Sequence, residues 1–255
     1  MRKKEKAKVV SQQCIGTDIY SMVIETEAAQ TAVAGQFISV YVNDKTKLLP
    51  RPISICEVDK EKSTLRIVYR VVGGGTKEMA TYKAGDSVDI IGPLGNGFMQ
   101  REGKKAILIG GGIGIPPMVE LAKELKDKAE VQIVAGYRDE LFLTDELEAN
   151  GALYIATEDG STGTKGTVID AIKANKIEGN VIYACGPTPM LKAIKEYALP
   201  LGIECQLSLE ERMACGIGAC LACVCQSKEK DSHSNVNNKR ICKDGPVFLA
   251  EEVEL

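Results

Sequence analysis

Near residue 100 the hydrophobic pattern of this 255-residue chain changes period. Before that point, segments such as Phe37 to Val42 and Thr64 to Val72 are β-branched and partly alternating. Turn residues punctuate them at Gly16, Gly35, Asn43-Asp44 and Gly85-Asp86. Many short strands at such spacing make a small barrel, with one short helix expected near Thr76 to Tyr82. From about 100 to 209 the rhythm becomes β-α alternation. Ala106 to Ile109, Val131 to Ala135, Leu153 to Ala156 and Val181 to Ala184 are short apolar runs of the kind buried in a parallel sheet. Between them, Pro116 to Leu125 puts Met118, Leu121, Ala122 and Leu125 on one helical face. Pro187 to Leu199 does the same with Met190, Leu191, Ile194 and Ala198, so these methionines read as core. The expected fold class is therefore a β-barrel plus α/β: a barrel over 1–99, a doubly wound parallel-sheet domain over 100–209 and a small module over 210–255. A doubly wound sheet gathers its ligand at the carboxyl ends of its strands.

The last module is a glycine–cysteine loop. Cys215, Cys220 and Cys223 stand at C-x4-C-x2-C spacing, and Cys242 follows from a separate segment. That is the spacing of a plant-type [2Fe–2S] site, where four thiolates hold two irons. Zinc is the competing metal, but structural zinc sites pair two C-x2-C units or add histidines. Here there is one C-x2-C, and the single histidine, His233, lies in a polar stretch. Nine cysteines is an odd number, and a chain of this length makes its own core, so a disulfide framework is not expected. Gly216 and Gly218 let the loop turn tightly round a cluster.

Composition narrows the classes of function. Apolar residues make up 44%, charged residues 26%, and the net charge is −3, which gives no electrostatic case for nucleic acid. The basic start, Met1 to Lys8, is followed by no apolar h-region, so secretion is not expected. No run approaches the roughly 20 apolar residues of a membrane span. A reducing cytoplasm, where thiols stay free or bind metal, is the expected location.

Four further motifs point to nucleotides. Gly110, Gly111, Gly112 and Gly114 follow an apolar strand and precede a helix, a placement that aims backbone amides at phosphate, although glycines also serve a plain tight turn. Cys185-Gly186-Pro187 ends the last apolar strand, where the thiol can lie beside a nicotinamide ring or act as a small buried hydrophobe. Arg51-Pro52-Ile53-Ser54 offers a guanidinium that forks onto phosphate and a hydroxyl three residues on. On a strand those two face opposite sides, so a twist or bulge is required for both to meet one ligand. Gly73 to Thr76 forms a second phosphate cradle, with Arg70 upstream.

Barrel, α/β domain and these motifs together resemble the ferredoxin–NADP reductase superfamily. The segment Glu211 to Cys223, with Ile241 to Phe248 after it, is similar to the electron-transfer subunits of dihydroorotate dehydrogenase B, the PyrK family. The resemblance spans essentially the whole chain. It implies a ferredoxin-reductase-like FAD barrel, with Arg51 on the FAD pyrophosphate, Ser54 near the isoalloxazine, Val68-Tyr69-Arg70 as the next flavin-contacting strand and Gly75-Thr76 as the pyrophosphate turn. It implies Cys215, Cys220, Cys223 and Cys242 as [2Fe–2S] ligands, and the Gly110–Gly114 and Cys185–Pro187 segments at the pyridine nucleotide. No catalytic side chain is expected, because cofactors carry the redox chemistry. The implied activity passes electrons from a partner's FMN through the cluster and FAD to NAD+, in de novo pyrimidine biosynthesis. The implied partner is the FMN-containing, PyrD-type catalytic subunit, in a heterotetramer of two plus two chains, with no nucleic acid and no membrane. Two departures stand out: Ile53 replaces the ring-stacking tyrosine common in flavoreductases, and 18 residues separate Cys223 from Cys242. The polar stretch 227–239 reads as a loop insertion, and Cys225 competes with Cys242 for the fourth ligand place. Residue types alone leave NAD and NADP undecided, since no acid marks the ribose and Arg138 follows the second strand. The alternatives are a NAD(P)H:ferredoxin-type flavoreductase acting alone or in another complex, and a zinc-bearing regulatory module.

Overall fold

The structure, a computed structural model, describes residues 3–232 and 234–255; the reading of His233 concerns a residue outside them. Six antiparallel strands close a barrel: β1 (Lys3–Gly16), β2 (Ile19–Glu25), β3 (Phe37–Tyr41), β4 (Arg51–Asp59), β5 (Thr64–Arg70) and β6 (Ser87–Leu94), in the order β1-β2-β5-β4-β3-β6. Alternate residues fill its interior. Val9, Met22, Ile24, Ile38, Val40, Ile55, Leu65, Ile67 and Ile90 are all fully buried. Each large aliphatic side chain so buried contributes about 1.5–3 kcal/mol. The short helix between β5 and β6 is α1 (Gly74–Met79), earlier by two residues than the expected Thr76. The reason is local: the Thr76 hydroxyl accepts from the Val72 and Gly73 amides at 2.9 and 3.1 Å, closing the first turn from inside the helix.

The second unit contains β7 (Lys105–Gly111), α2 (Pro116–Leu125), β8 (Glu130–Tyr137), α3 (Thr144–Glu148), β9 (Ala152–Thr157), β10 (Thr164–Lys165), α4 (Val168–Ala174), β11 (Val181–Cys185), α5 (Thr188–Ala198) and β12 (Glu204–Ser208). The strands run parallel in the order β10-β9-β8-β7-β11-β12. Ala106 and Leu108 of β7 pack with Leu121, Leu125 and Leu147 from α2 and α3. Ile107 and Ile109 pack with Ala171, Ile172, Leu191 and Ile194 from α4 and α5. Helices thus cover both faces, and the winding reverses between β7 and β11.

After β12 come the cysteine loop, β13 (Val224–Gln226), β14 (Asn238–Arg240), α6 (Ile241–Asp244) and β15 (Val247–Leu249). The expected loop insertion is the tip of a hairpin, because β13 and β14 pair antiparallel from Val224↔Arg240 to Gln226↔Asn238. β15 then returns to the second unit and pairs antiparallel with β12, adding a seventh strand to its sheet. Among the described residues, no helix is long and apolar enough to cross a membrane.

Candidate functional site: a split barrel edge, a switch point and four thiols

A cleft of about 640 Å³ opens where β4 and β5 part. The two strands pair only from Ile55↔Ile67 to Asp59↔Thr64, with a register shift between Ile55 and Glu57. Beyond Ile55, residues Arg51 to Ser54 keep β3 on one edge and leave the other free; Val68 to Arg70 leave β5's facing edge free in the same way. All of Arg51, Pro52, Ile53, Ser54, Val68, Tyr69, Arg70 and Thr76 line this cleft. An open edge therefore lets consecutive residues meet one ligand, where alternation alone forbids it. The Tyr69 ring is committed to the barrel, stacked on Tyr20 at 6.0 Å with its hydroxyl donating to Gln12 Oε1 at 2.8 Å. Phe37 is likewise buried, so neither aromatic lining the cleft near Ile53 presents a free ring face.

Arg51 is held against the first turn of α1. Its Nη1 donates to the Leu49 carbonyl at 2.6 Å, and its guanidinium lies over Gly75, where a Cβ would collide with Nε, Cζ and Nη2. The glycine thus makes room for a cation against the first turn of α1. The Thr76 hydroxyl is spent on capping that turn, so Thr76 offers the cleft its backbone and shape. This cradle fits a flavin dinucleotide: a fork for pyrophosphate at one end and a strand-lined slot at the other.

At the reversal point the Gly110–Gly114 loop and the Cys185–Pro187 segment nest together. A Cβ on Gly114 would meet the Cys185 carbonyl carbon at 2.5 Å and the Gly186 nitrogen at 2.6 Å, and one on Gly111 would meet Pro187 Cδ at 3.4 Å. Cys185 itself is fully buried, and burial pushes its thiol well above the ordinary range. Ile113 from this loop lines the barrel cleft, which joins the two sites.

The four thiols stand as two pairs. Cys220 Sγ lies 3.3 Å from Cys215 Sγ, and Cys223 and Cys242 are neighbours whose side chains interact. Burial raises the Cys215 pKa, but amides of Ile217, Cys220 and Ala219 and the Cys220 thiol outweigh it, bringing it down to about 7. The Cys242 side chain brings Cys223 down to about 6, and the same interaction drives Cys242 itself upward. The Gly218 amide donates to Cys242 Sγ at 3.1 Å. The Ile241 amide donates to the Cys223 carbonyl at 2.8 Å, so the hairpin brings the distant thiol beside its partner whatever the length of its tip. Cys225 is elsewhere: its Sγ faces the Lys239 carbonyl at 3.6 Å. Among the described residues no three metal-binding side chains converge on a single point. Two thiol pairs suit a two-iron cluster, with two thiolates to each iron, better than one mononuclear zinc.

Sequence reading missed two groups here. Residues Ser208 to Met213 form one wall of the cleft and run straight into Cys215. Arg240, only 3% exposed, donates to the Gly218 carbonyl at 2.9 Å and to Asp231 Oδ2 at 3.1 Å. The Met213 position next to the cysteine loop was the available signal for the first; nothing local marks the second.

Fold and site define a flavin-dependent pyridine-nucleotide oxidoreductase carrying an iron–sulfur module. Family models agree segment by segment: an oxidoreductase FAD-binding domain over 6–98, an oxidoreductase NAD-binding domain over 108–196, and the iron-sulfur cluster binding domain of dihydroorotate dehydrogenase B over 210–254. The chain is 44% identical over 253 residues to the dihydroorotate dehydrogenase B (NAD(+)) electron transfer subunit of Caldanaerobacter subterraneus subsp. tengcongensis, covering 99% of each. It is 45% identical over 254 residues to that of Listeria innocua, covering 97% of this chain and 98% of the relative. Among solved structures it is similar to a chain of the NADH-dependent reduced ferredoxin-NADP oxidoreductase, with TM-score 0.87 and 31% identity over 97% of this chain and 89% of that one. The ferredoxin NADP+ reductase of Neisseria gonorrhoeae shares the fold, with TM-score 0.67 at 17% identity over 78% of this chain and 92% of that one. The chain belongs to the family of dihydroorotate dehydrogenase B (NAD(+)) electron transfer subunits.

Proposed function

We propose that this chain is the conducting half of a cytoplasmic dihydroorotate dehydrogenase. It would take electrons from an FMN-containing catalytic subunit and deliver them to NAD+ in pyrimidine biosynthesis, in an assembly of two plus two chains. When bound, FAD and the [2Fe–2S] cluster supply the chemistry, single electrons through the cluster and a hydride to NAD+ at the flavin. Three modules divide the work, over 1–99, 100–209 and 210–255. Arg51 forks onto the FAD pyrophosphate beside Gly75 and Thr76; Pro52 to Ser54 and Val68 to Arg70 wall the flavin ring. Gly110 to Gly112, Gly114 and Cys185 to Pro187 receive NAD+ at the strand ends. Cys215, Cys220, Cys223 and Cys242 hold the irons in the two pairs described. The carrying observation is that segment Ser208 to Met213 lines the cleft and leads directly into the first cluster thiol.

The purified chain is expected to reduce dyes with NADH and to leave dihydroorotate untouched until the FMN-bearing subunit is added. Dihydroorotate oxidation by the chain alone would refute the subunit reading. The similarity to the NADH-dependent reduced ferredoxin-NADP oxidoreductase favours a second reading, a flavoreductase serving a ferredoxin in another complex. Co-purification with an FMN dehydrogenase against co-purification with a ferredoxin partner separates the two.

A further inference from the structure

Strand β3 faces two ways. Ile38 and Val40 point into the barrel, whereas Phe37 joins the apolar cluster that holds Leu94, Met213, Cys223 and Cys242, with Cys215 against its edge. Ser39 shares the face of Phe37 and is 0% exposed. Its hydroxyl has no hydrogen-bond partner, and it is one of two such buried side-chain polar atoms among the described residues. An unsatisfied buried hydroxyl costs about 1–3 kcal/mol, and native proteins rarely leave one. What this hydroxyl faces is the cluster loop: a Cβ on Gly216 would stand 2.8 Å from Ser39 Oγ. Gly216, at φ +68°, immediately follows Cys215. The backbone of Ser39 meanwhile opposes Pro52 in the strand that borders the flavin cleft.

We infer that the Ser39 hydroxyl donates a hydrogen bond to sulfur at the [2Fe–2S] site, reaching from the flavin barrel to the loop that begins at Cys215. This rests on the cluster reading of the four thiols. Thiolate and sulfide are anionic acceptors, and the surrounding protein offers the hydroxyl none. A donor to sulfur stabilises the more negative, reduced form over the oxidised one. Ser39 therefore raises the reduction potential of the cluster and pins the loop to the barrel.

The test is a redox titration of the loaded chain followed by electron paramagnetic resonance, on wild type, Ser39→Ala and Ser39→Thr. At a fixed solution potential the reduced-to-oxidised ratio should fall about tenfold in Ser39→Ala, a shift of about 59 mV for one electron. Ser39→Thr should restore the wild-type ratio. Unchanged titration of an iron-replete Ser39→Ala overturns the role of Ser39. Wild type without iron or without a two-iron spectrum overturns the cluster reading instead. If Ser39→Ala holds no iron, wild type made by cell-free synthesis from β-deuterated serine and unlabelled cysteine decides, because residues 209–226 contain no serine and their cysteines then carry no label. Close-range deuterium modulation of the reduced signal supports the donor; its absence refutes it.

Discussion

Gly75 and Arg51 form a pair whose coupling can be measured. Gly75 lies in the first turn of α1 with no positive φ, so alanine suits its backbone and would ordinarily be favourable by up to about 1 kcal/mol. The obstacle is the guanidinium of Arg51, which occupies the place of the missing Cβ. Gly75→Ala should therefore fold normally while swinging Arg51 off its tether to the Leu49 carbonyl. A charge-assisted hydrogen bond is worth about 1.5–3 kcal/mol, so losing it on the pyrophosphate weakens FAD about 10- to 150-fold. Arg51→Ala should give a loss of the same size. The double variant should bind like Arg51→Ala, within about twofold, because the guanidinium that the new methyl would displace is already gone. Titrating apoprotein with FAD by flavin fluorescence reads all four affinities, and far-ultraviolet melts check folding. Additive losses in the double variant, or unchanged affinity in Arg51→Ala, would refute the reasoning.

Three other outcomes follow from the geometry. Cys220→Ser should abolish the visible iron–sulfur absorbance and Cys225→Ser should leave it; iron loss in Cys225→Ser alone would overturn the ligand set. Arg240→Ala strips a buried cation from Asp231 and the Gly218 carbonyl, at a cost of about 3–5 kcal/mol, and should lower the first thermal transition and release iron on mild heating. An unchanged melt would show the pair to be idle. Burial pushes the Glu120 carboxyl above its usual range although it accepts from the Val58 amide at 2.8 Å. The folded chain then keeps a proton the unfolded chain has lost, so this group's contribution to stability falls as pH rises through that window. Glu120→Gln should gain on wild type more at pH 7 than at pH 4 in denaturant titrations, and the opposite trend contradicts the assignment.

What the sequence disclosed was local, and what it withheld depends on register and distance. Strands such as Ala106–Ile109 and helices such as Pro116–Leu125 were legible because their apolar periods need no knowledge of neighbours. Glycine loops at strand ends were legible for the same reason. The open edge of β4 was not, since it depends on where the pairing with β5 stops, and one bulge near Cys56 sets that. Arg51 and Ser54 could be suspected of sharing a ligand, but a bulge or twist was the only mechanism in sight. The return of β15 to β12 and the burial of Ser39 against Gly216 join residues far apart in the chain, so no local period signals them. The hairpin under the polar stretch 227–239 was hidden because β13 and β14 are only three residues each.

The bonds between units argue for a fixed geometry rather than a hinged one. α2 grips the barrel through both polar atoms of one residue: Glu120 accepts the Val58 amide, and Lys123 Nζ donates to the Val58 carbonyl at 3.1 Å. Gln206 of β12 does the same to Met99, accepting its amide and donating to its carbonyl, each at 2.8 Å. The Asn96 amide, just beyond β6, donates to the Gly245 carbonyl at 2.6 Å, tying the barrel to the segment between α6 and β15. The grip on Val58 uses backbone groups that burial would otherwise leave unsatisfied, so opening it costs an orphaned donor or acceptor. The same segment, Ser208 to Met213, is at once the end of the sheet, the wall of the cleft and the lead into Cys215. Moving the cysteine loop relative to the cleft would drag that wall with it. A chain that relays electrons between two fixed sites gains from such stiffness, because orientation set in the fold need not be re-established at each turnover.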